Sequence, residues 1–228
     1  MEAGLRRVDW MKCDQCLKCV EVCPAGAIER VGKYISQEEL LKEIEKDRLF
    51  YDNSGGGVTF SGGEPLVQWE FVLAMLKKCK EKNLHTSLDT TGNISWNILE
   101  KVLDHVDLVL YDIKHLDSGI HKTKTGIDNR LILENAKKAA RKSTMWLRMP
   151  LIPDYNDSDE NISKLGEFAD GIGVEKLSLL PYHSWGEAKY ERLGRVYPFK
   201  EVSAPKEEKL EEIKQRLDAF GLEVTVGR

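Results

Sequence analysis

Short apolar segments alternate with amphipathic segments along most of the chain after residue 56. Segments rich in apolar and β-branched residues predict strands at 57–61, 85–89, 106–113, 145–151, 175–180 and 222–226. Between these strands, apolar residues recur at helical spacing and predict helices at 66–82, 95–104, 129–142, 158–170 and 205–219. An earlier helix is predicted to begin after Ser36 and to end near Lys46. This alternation predicts an α/β fold of parallel strands joined by right-handed crossovers.

Polar residues and glycines follow five of the predicted strands at the point where each strand ends. They are Gly62, Gly63 and Glu64 after the first strand, Asp89 and Thr90 after the second, Asp112 and Lys114 at the third, Arg148 in the fourth and His183 after the fifth. In parallel α/β sheets and barrels, ligands bind at the carboxyl ends of the strands. The pattern therefore predicts one ligand site to which several strand ends contribute. For His183, a packing or capping role is the alternative.

The residue types at this site favour a zwitterion that carries a nucleoside. Neither phosphate-binding pattern, G-x-x-x-x-G-K-[ST] or G-x-G-x-x-G, occurs in the sequence. Glycines allow the backbone to approach a ligand closely, and the acidic Glu64 beside them suits an ammonium group better than a phosphate. Lys114, Arg148 and His183 suit a carboxylate, and Asp112 can accept hydrogen bonds from ribose hydroxyls.

Four cysteines near the start follow the spacing C-x2-C-x2-C-x3-C-P, which is typical of bacterial ferredoxin-like iron–sulfur sites. The predicted metal ligands are Cys13, Cys16, Cys19 and Cys23. We assign residues 1–34 to a small ferredoxin-like module and residues 35–228 to the α/β core. The fifth cysteine, Cys79, lies in a helix-like segment and is interpreted as a structural thiol.

Composition and charge argue against several classes of function. The chain has 34 basic and 38 acidic residues and a net charge of −4, which disfavours a nucleic-acid-binding protein. A basic cluster on one predicted helix is interpreted as a solvated face, with an acidic partner as the alternative; it comprises Lys137, Lys138, Arg141 and Lys142. No apolar run reaches the roughly 18 residues of a membrane span, and no signal peptide opens the chain. We therefore expect a cytoplasmic protein with no membrane partner.

Six motifs occur along the chain in a fixed order: CDQCLKCVEVCP, YDNSGGGVTFSGGEPLVQ, DTTG, DLVLYDIKHLD, RMPLIPDYND and LLPYHSWGEAKYERLG. Through these motifs the chain resembles the glycyl-radical-enzyme activating proteins of the radical S-adenosylmethionine superfamily. The resemblance is greatest to members that carry a ferredoxin insert. It implies a partial parallel (β/α) barrel of the radical S-adenosylmethionine type, preceded by the ferredoxin-like cysteine module.

The resemblance also implies roles for the residues at the strand ends. In such proteins the Gly-Gly-Glu element, here Gly62, Gly63 and Glu64, holds the amino group of S-adenosylmethionine. Polar contacts to the rest of that cofactor are implied for Asp89, Thr90, Asp112, Lys114, Arg148 and His183. The first three of these also match positions associated with a monovalent cation near the cofactor carboxylate.

The sequence departs from the family at one important point. The family's C-x3-C-x2-C motif holds a [4Fe–4S] cluster with one open iron, and it does not occur in these 228 residues. We therefore expect the first β/α unit of the barrel to be missing and the chain alone to be inactive, so no catalytic residue is assigned. A single ferredoxin-like run also leaves Cys23 to ligate a second cluster. Thr91 stands where Asn or Cys is expected.

The activity that the resemblance implies is radical chemistry on a protein partner. Reductive cleavage of S-adenosylmethionine gives methionine and a 5′-deoxyadenosyl radical, which abstracts hydrogen from a glycine of a glycyl radical enzyme. A reduced flavodoxin or ferredoxin is the implied electron donor, under anaerobic conditions. Two alternatives remain open: a ferredoxin-like electron-transfer module, and a cofactor-binding fragment that performs no chemistry. A missing strand would leave an open sheet edge, which predicts strand-mediated association.

Overall fold

The computed structural model describes residues 8–9, 11–174 and 176–227. These residues form two compact units. The smaller unit contains the described residues up to Ser36 together with His183–Val202. The larger unit contains Gln37–Tyr182 and the described residues from Ser203 onward. No helix in the described part of the chain is long and apolar enough to cross a membrane.

A six-stranded parallel sheet forms the centre of the larger unit, and its strands lie in the order in which they occur along the chain. The strands are β1 (Gly57–Phe60), β2 (His85–Thr90), β3 (Leu108–Asp112), β4 (Met145–Leu151), β5 (Lys176–Pro181) and β6 (Glu223–Val226). The predicted strands are confirmed, although their ends shift slightly. Consecutive strand order with right-handed crossovers is the arrangement that places the connecting helices on one face of a sheet.

Ten α-helices occur among the described residues. They are α1 (Lys18–Glu21), α2 (Gln37–Glu45), α3 (Arg48–Ser54), α4 (Trp69–Glu81), α5 (Trp96–Leu103), α6 (Ser118–Thr125), α7 (Arg130–Ala140), α8 (Asp159–Ile172), α9 (Glu187–Arg192) and α10 (Glu207–Asp218). The predicted helix over 66–82 divides into a 3-10 turn, Pro65–Gln68, and α4. The division follows from Glu64, which caps the turn, and from Pro65 at its first position.

The sequence pattern does not predict α1, α3, α6 and α9, because each is short and lacks a clear apolar stripe. Helix α6 (SGIHKTKT) contains a glycine and two threonines, which have low helix propensity. It forms because Asp117 Oδ1 accepts a hydrogen bond from the Ile120 N–H at 2.8 Å. It ends at Gly126, whose φ of 85° suits a glycine.

The two faces of the sheet differ in burial, and this difference positions the polar residues. Along β4, Leu147 and Met149 are fully buried in the main apolar core, whereas Arg148 between them is partly exposed. Along β3, Val109 and Tyr111 are buried in the same core, and the alternate residues are partly exposed. Successive side chains of a strand point to opposite faces. One face therefore packs on the helices, and the other carries the polar residues.

Candidate functional site

Arg148, in the middle of β4, connects its strand to the carboxyl ends of β2 and β3. It lies directly opposite Asp112 in the β3–β4 register. Its Nε and Nη2 donate to Asp112 Oδ1 at 3.0 and 2.9 Å, and Nη2 also donates to Asp89 Oδ1 at 2.6 Å. The sequence prediction that Asp89, Asp112 and Arg148 meet at one end of the sheet agrees with this geometry.

The cluster is partly desolvated and balanced in charge. Side-chain exposure is 19% for Arg148, 21% for Asp89 and 15% for Asp112. Burial lowers the pKa of Arg148, but the carboxylates of Asp112 and Asp89 raise it more, so the guanidinium stays charged. Lys114 adds a second cation, with its Nζ 3.3 Å from Asp112 Oδ2. Two carboxylates therefore face two cations at this end of the sheet.

The loop after β1 presents exposed backbone beside this cluster. Ser61 Oγ donates to Asp89 Oδ2 at 2.9 Å and so connects the loop to the cluster. Gly62 has a φ of 145°, a conformation that suits glycine, and both Gly62 and Gly63 are exposed. A Cβ at either glycine would meet no atom within 4 Å. The loop therefore leaves open space over its backbone, into which a ligand could fit.

Glu64 contacts the protein rather than the open space. Its Oε1 accepts hydrogen bonds from Thr90 Oγ1 at 2.7 Å and from the Leu66 N–H at 3.2 Å. Its Oε2 accepts from the N–H and the Oγ1 of Thr91 at 2.9 and 2.8 Å. A carboxylate has about four lone-pair sites, and all are used here. Glu64 thus joins the loop after β1 to the end of β2.

Buried asparagines hold the loop that carries Lys114. Asn156 is fully buried, and its Nδ2 donates to the carbonyl oxygens of Lys114 and Pro150 at 2.8 and 2.7 Å. Asn129 donates in the same way to the carbonyl oxygens of His115 and Leu116, at 2.8 and 3.0 Å. Buried polar groups of this kind rigidify a loop when their hydrogen bonds are made.

All of the predicted cofactor-binding residues except His183 lie together in the larger unit. His183 belongs to the smaller unit, where its ring lies 4.2 Å from the exposed ring of Trp185, and its role as a site residue stays a prediction. The sequence interpretation did not assign Ser61 or Thr91 to the site. The signal was present, because both residues flank assigned positions at the ends of β1 and β2.

The four clustered cysteines lie in the smaller unit, around α1. The Ala27 N–H donates to Cys23 Sγ at 3.3 Å, and the backbone N–H groups of Ala27 and Ile28 lower the pKa of the Cys23 thiol. Such donors favour the thiolate form that binds iron. No three histidine, cysteine, aspartate or glutamate side chains come together as a metal site among the described residues. The ligand assignment and the division at residue 34 stay predictions.

Cys79 behaves as the sequence interpretation expects of a structural thiol. It is fully buried in α4, in a small apolar cluster with Ile44, Met75 and Leu84. Burial raises the pKa of its thiol, so the protonated, unreactive form is favoured.

Comparison with known proteins shows which domains the chain contains. Residues 21–166 match the radical SAM superfamily domain, and residues 6–29 match the 4Fe-4S binding domain. The trans-4-hydroxy-L-proline dehydratase activating enzyme of Clostridioides difficile is 41% identical, over 95% of this chain and 82% of the relative. The pyruvate formate-lyase 1-activating enzyme of Escherichia coli is 39% identical, over 85% of this chain and 80% of the relative.

The fold has a solved counterpart. A domain of the pyruvate-formate lyase-activating enzyme from Bacteroides vulgatus superposes with a TM-score of 0.65 at 32% identity, covering 76% of this chain and 99% of that chain. The predicted fold and family are confirmed, and the two matched domains imply S-adenosylmethionine and [4Fe–4S] clusters as cofactors. The chain belongs to the radical S-adenosylmethionine superfamily and, within it, to the glycyl-radical-enzyme activating proteins.

Proposed function

We propose that the polar end of the sheet binds S-adenosylmethionine and that the chain serves the activation of a glycyl radical enzyme. The observation that carries this proposal is the cluster in which Arg148 joins Asp89 to Asp112, with Lys114 beside it and the exposed Gly62–Gly63 backbone next to it. A zwitterion needs an acceptor for its ammonium group and a cation for its carboxylate. This cluster contains hydrogen-bond acceptors and cations next to each other.

The backbone, rather than the Glu64 side chain, is proposed to hold the ammonium group. The Glu64 carboxylate already accepts four hydrogen bonds, from Thr90, Thr91 and Leu66. The carbonyl oxygens around Gly62 and Gly63 lie in an exposed segment and can accept from a ligand. Glu64 would then fix the shape of the loop, and the loop would make the contact.

Lys114 is proposed to hold the cofactor carboxylate. Its side chain is 34% exposed, and its Nζ makes a long contact, 3.3 Å, to Asp112. Arg148 is less available to bind a carboxylate of the ligand, because it already pairs with Asp89 and Asp112. A monovalent cation at Asp89, Thr90 and Asp112 would have to share the carboxylates of Asp89 and Asp112 with the guanidinium of Arg148.

A bound [4Fe–4S] cluster would supply the electron that cleaves S-adenosylmethionine, and the resulting radical would remove hydrogen from a glycine of the partner. The contribution of the residues at the polar end of the sheet is to bind and orient S-adenosylmethionine, because they combine carboxylates, cations and exposed backbone. The four clustered cysteines are proposed to hold an accessory cluster that receives electrons from a reduced flavodoxin or ferredoxin. The N–H groups around Cys23 support this role, because they stabilise a thiolate.

The experiment that tests the proposal is a titration of the purified chain with S-adenosylmethionine by calorimetry. We expect saturable binding that Lys114→Ala weakens at least tenfold, because the variant removes a charge-assisted contact. Lys101→Ala, an exposed lysine on α5, is the matched control and leaves the affinity unchanged. A chain that serves only electron transfer would bind iron but would not bind S-adenosylmethionine, and that result would overturn the proposal.

A further inference from the structure

Asn135 is a buried polar residue on the apolar face of α7. The neighbouring residues on this face, Ile132, Ala136 and Ala139, are buried in the core. The Nδ2 of Asn135 donates to the carbonyl oxygens of Gly92 and Ile94, at 2.8 and 2.7 Å. Two acceptors at these distances require the nitrogen of the amide to face them. Helix α7 therefore holds the loop that follows β2 through two hydrogen bonds.

The side chain of Asn135 also reduces the stability of the fold in one respect. Its Oδ1 is buried and has no hydrogen-bond partner among the described residues. An unsatisfied buried acceptor destabilises a fold, and only the two hydrogen bonds that Nδ2 donates offset that cost. The benefit of the amide must therefore lie in what its nitrogen holds.

A continuous series of hydrogen bonds leads from this loop to the loop after β1. The Gly92 N–H donates to Thr90 Oγ1 at 3.0 Å, and Thr90 Oγ1 donates to Glu64 Oε1 at 2.7 Å. The N–H and Oγ1 of Thr91 bind Glu64 Oε2, and the Leu66 N–H binds Glu64 Oε1. Asn135 thus lies at the far end of a path that ends beside Gly62 and Gly63.

Gly92 cannot move easily between these contacts. Its φ is 67°, and it packs so closely on the hydroxyl of Tyr111 that a Cβ would overlap it. That hydroxyl is fixed in turn, since it donates to the Ile132 carbonyl oxygen at 2.7 Å. Asn135, by its hydrogen bond to the Gly92 carbonyl oxygen, and Tyr111, by close packing, therefore both restrain Gly92.

We propose that Asn135 is a positioning residue that sets the shape of the Gly62–Gly63 loop through Gly92, Thr90, Thr91 and Glu64. The inference rests on the proposed function of this loop in binding S-adenosylmethionine. Helix α7, which carries Asn135, would then contribute to the affinity for the amino-acid moiety of the cofactor without contacting it.

Hydrogen exchange of the backbone amides tests the path itself, without any ligand. In Asn135→Leu, we expect the amides of Leu66, Thr91 and Gly92 to exchange about tenfold faster than in the wild type, because one anchor of their hydrogen bonds is lost. Asn156→Leu is the matched control, since Asn156 is buried, donates to two carbonyl oxygens of other segments and lies outside both α7 and this path. Unchanged exchange at Leu66 in Asn135→Leu would overturn the proposal.

A second variant covers the case in which Asn135→Leu does not fold. Thr91→Val removes one hydrogen bond to Glu64 at the other end of the path, and Thr91 is partly exposed, so the fold should persist. We expect faster exchange at Leu66 and unchanged exchange at Ile94. Equal exchange at Leu66 in Thr91→Val and the wild type would contradict the path.

Affinity for S-adenosylmethionine separates this proposal from the proposed function. We expect Asn135→Leu to bind about tenfold more weakly than the wild type. The double variant with Glu64→Gln should lose less than the product of the two single losses, because both act through the same carboxylate. A loss equal to the product would overturn the path. Failure of the wild type to bind would refute the proposed function, while the exchange rates would still decide whether Asn135 positions the loop.

Discussion

Arg148 Nη2 lies 2.6 Å from Asp89 Oδ1, although the two residues are 59 positions apart in the chain. They belong to β4 and β2, which are separated in the sheet by β3. The arginine therefore reaches across a whole strand, and on the way it binds Asp112 of β3. This one side chain joins the ends of β2 and β3 to the middle of β4.

Removal of Arg148 is expected to destabilise the chain. In Arg148→Met, the carboxylates of Asp89 and Asp112 are left partly buried without their shared cation. We expect the free energy of unfolding to fall by about 2 to 4 kcal/mol, measured by urea denaturation. Arg141→Met, at an exposed arginine outside the site, is the control and should change it by less than about 0.5 kcal/mol.

A second substitution tests whether unbalanced charge causes the loss of stability in Arg148→Met. In Arg148→Met, Asp112 keeps its contact with Lys114, whereas Asp89 loses its cation. Adding Asp89→Asn removes that uncompensated charge and should recover part of the lost stability. If the double variant is less stable than Arg148→Met, charge imbalance is not the reason for the loss.

Gly92 is expected to tolerate no side chain. Gly92→Ala combines a positive φ with overlap of the new Cβ and the Tyr111 hydroxyl, so we expect a loss of about 3 kcal/mol in urea denaturation. Gly126→Ala is the matched control: its φ is also positive, at 85°, but no atom lies within 4 Å of the new Cβ. It should lose only about 1 kcal/mol. Equal losses for the two variants would show that contact with Tyr111 is not responsible.

The sequence pattern was sufficient for the sheet but not for the contacts at its end. Alternation of apolar segments predicts the strands, and the strand ends locate Asp89, Asp112 and Arg148. The direction in which Glu64 points does not follow from the pattern, because it depends on hydroxyl and N–H groups that only the folded β2 end supplies. Asn135 is equally hidden, since a polar residue on an apolar helix face has no local signal for its distant partner.

Asp107 is expected to make the stability of the sheet depend on acid pH. It pairs with Lys80 and accepts hydrogen bonds from the N–H and Oγ1 of Thr86, at 2.7 and 3.1 Å. Burial raises the pKa of Asp107, but the hydrogen bonds from Lys80 and Thr86 lower it more, so its folded pKa lies below the ordinary value. A lowered folded pKa gives stability that is present above the unfolded pKa of about 3.9 and is lost as the pH falls through the folded pKa.

The contribution of the ionised Asp107 carboxylate to stability can be measured by comparing the wild type with Asp107→Asn. At pH 7 the wild type should be more stable by about 1 to 2 kcal/mol in urea denaturation. The difference should shrink as the pH falls below about 4. A difference that stays constant down to the lowest pH at which the protein folds would argue against the ionised carboxylate as its source.

The clustered cysteines are expected to bind an iron–sulfur cluster without giving cleavage of S-adenosylmethionine. After anaerobic incubation with iron and sulfide, we expect iron–sulfur absorption that Cys16→Ser reduces and Cys79→Ala leaves unchanged, because Cys79 is buried in the apolar core. No 5′-deoxyadenosine should form, since the C-x3-C-x2-C motif does not occur in the 228 residues. Formation of 5′-deoxyadenosine by the chain alone would contradict this expectation.

The central claim is that the cluster of Arg148, Asp89, Asp112 and Lys114 marks a site for the amino-acid moiety of S-adenosylmethionine. The most direct test compares the dissociation constants of S-adenosylmethionine and of 5′-methylthioadenosine, which lacks that moiety, for the wild type and for Lys114→Ala. We expect the wild type to bind S-adenosylmethionine at least tenfold more tightly than 5′-methylthioadenosine, and Lys114→Ala to lose most of this preference. Equal affinity of the wild type for the two ligands, or a preference that Lys114→Ala leaves intact, would contradict the central claim.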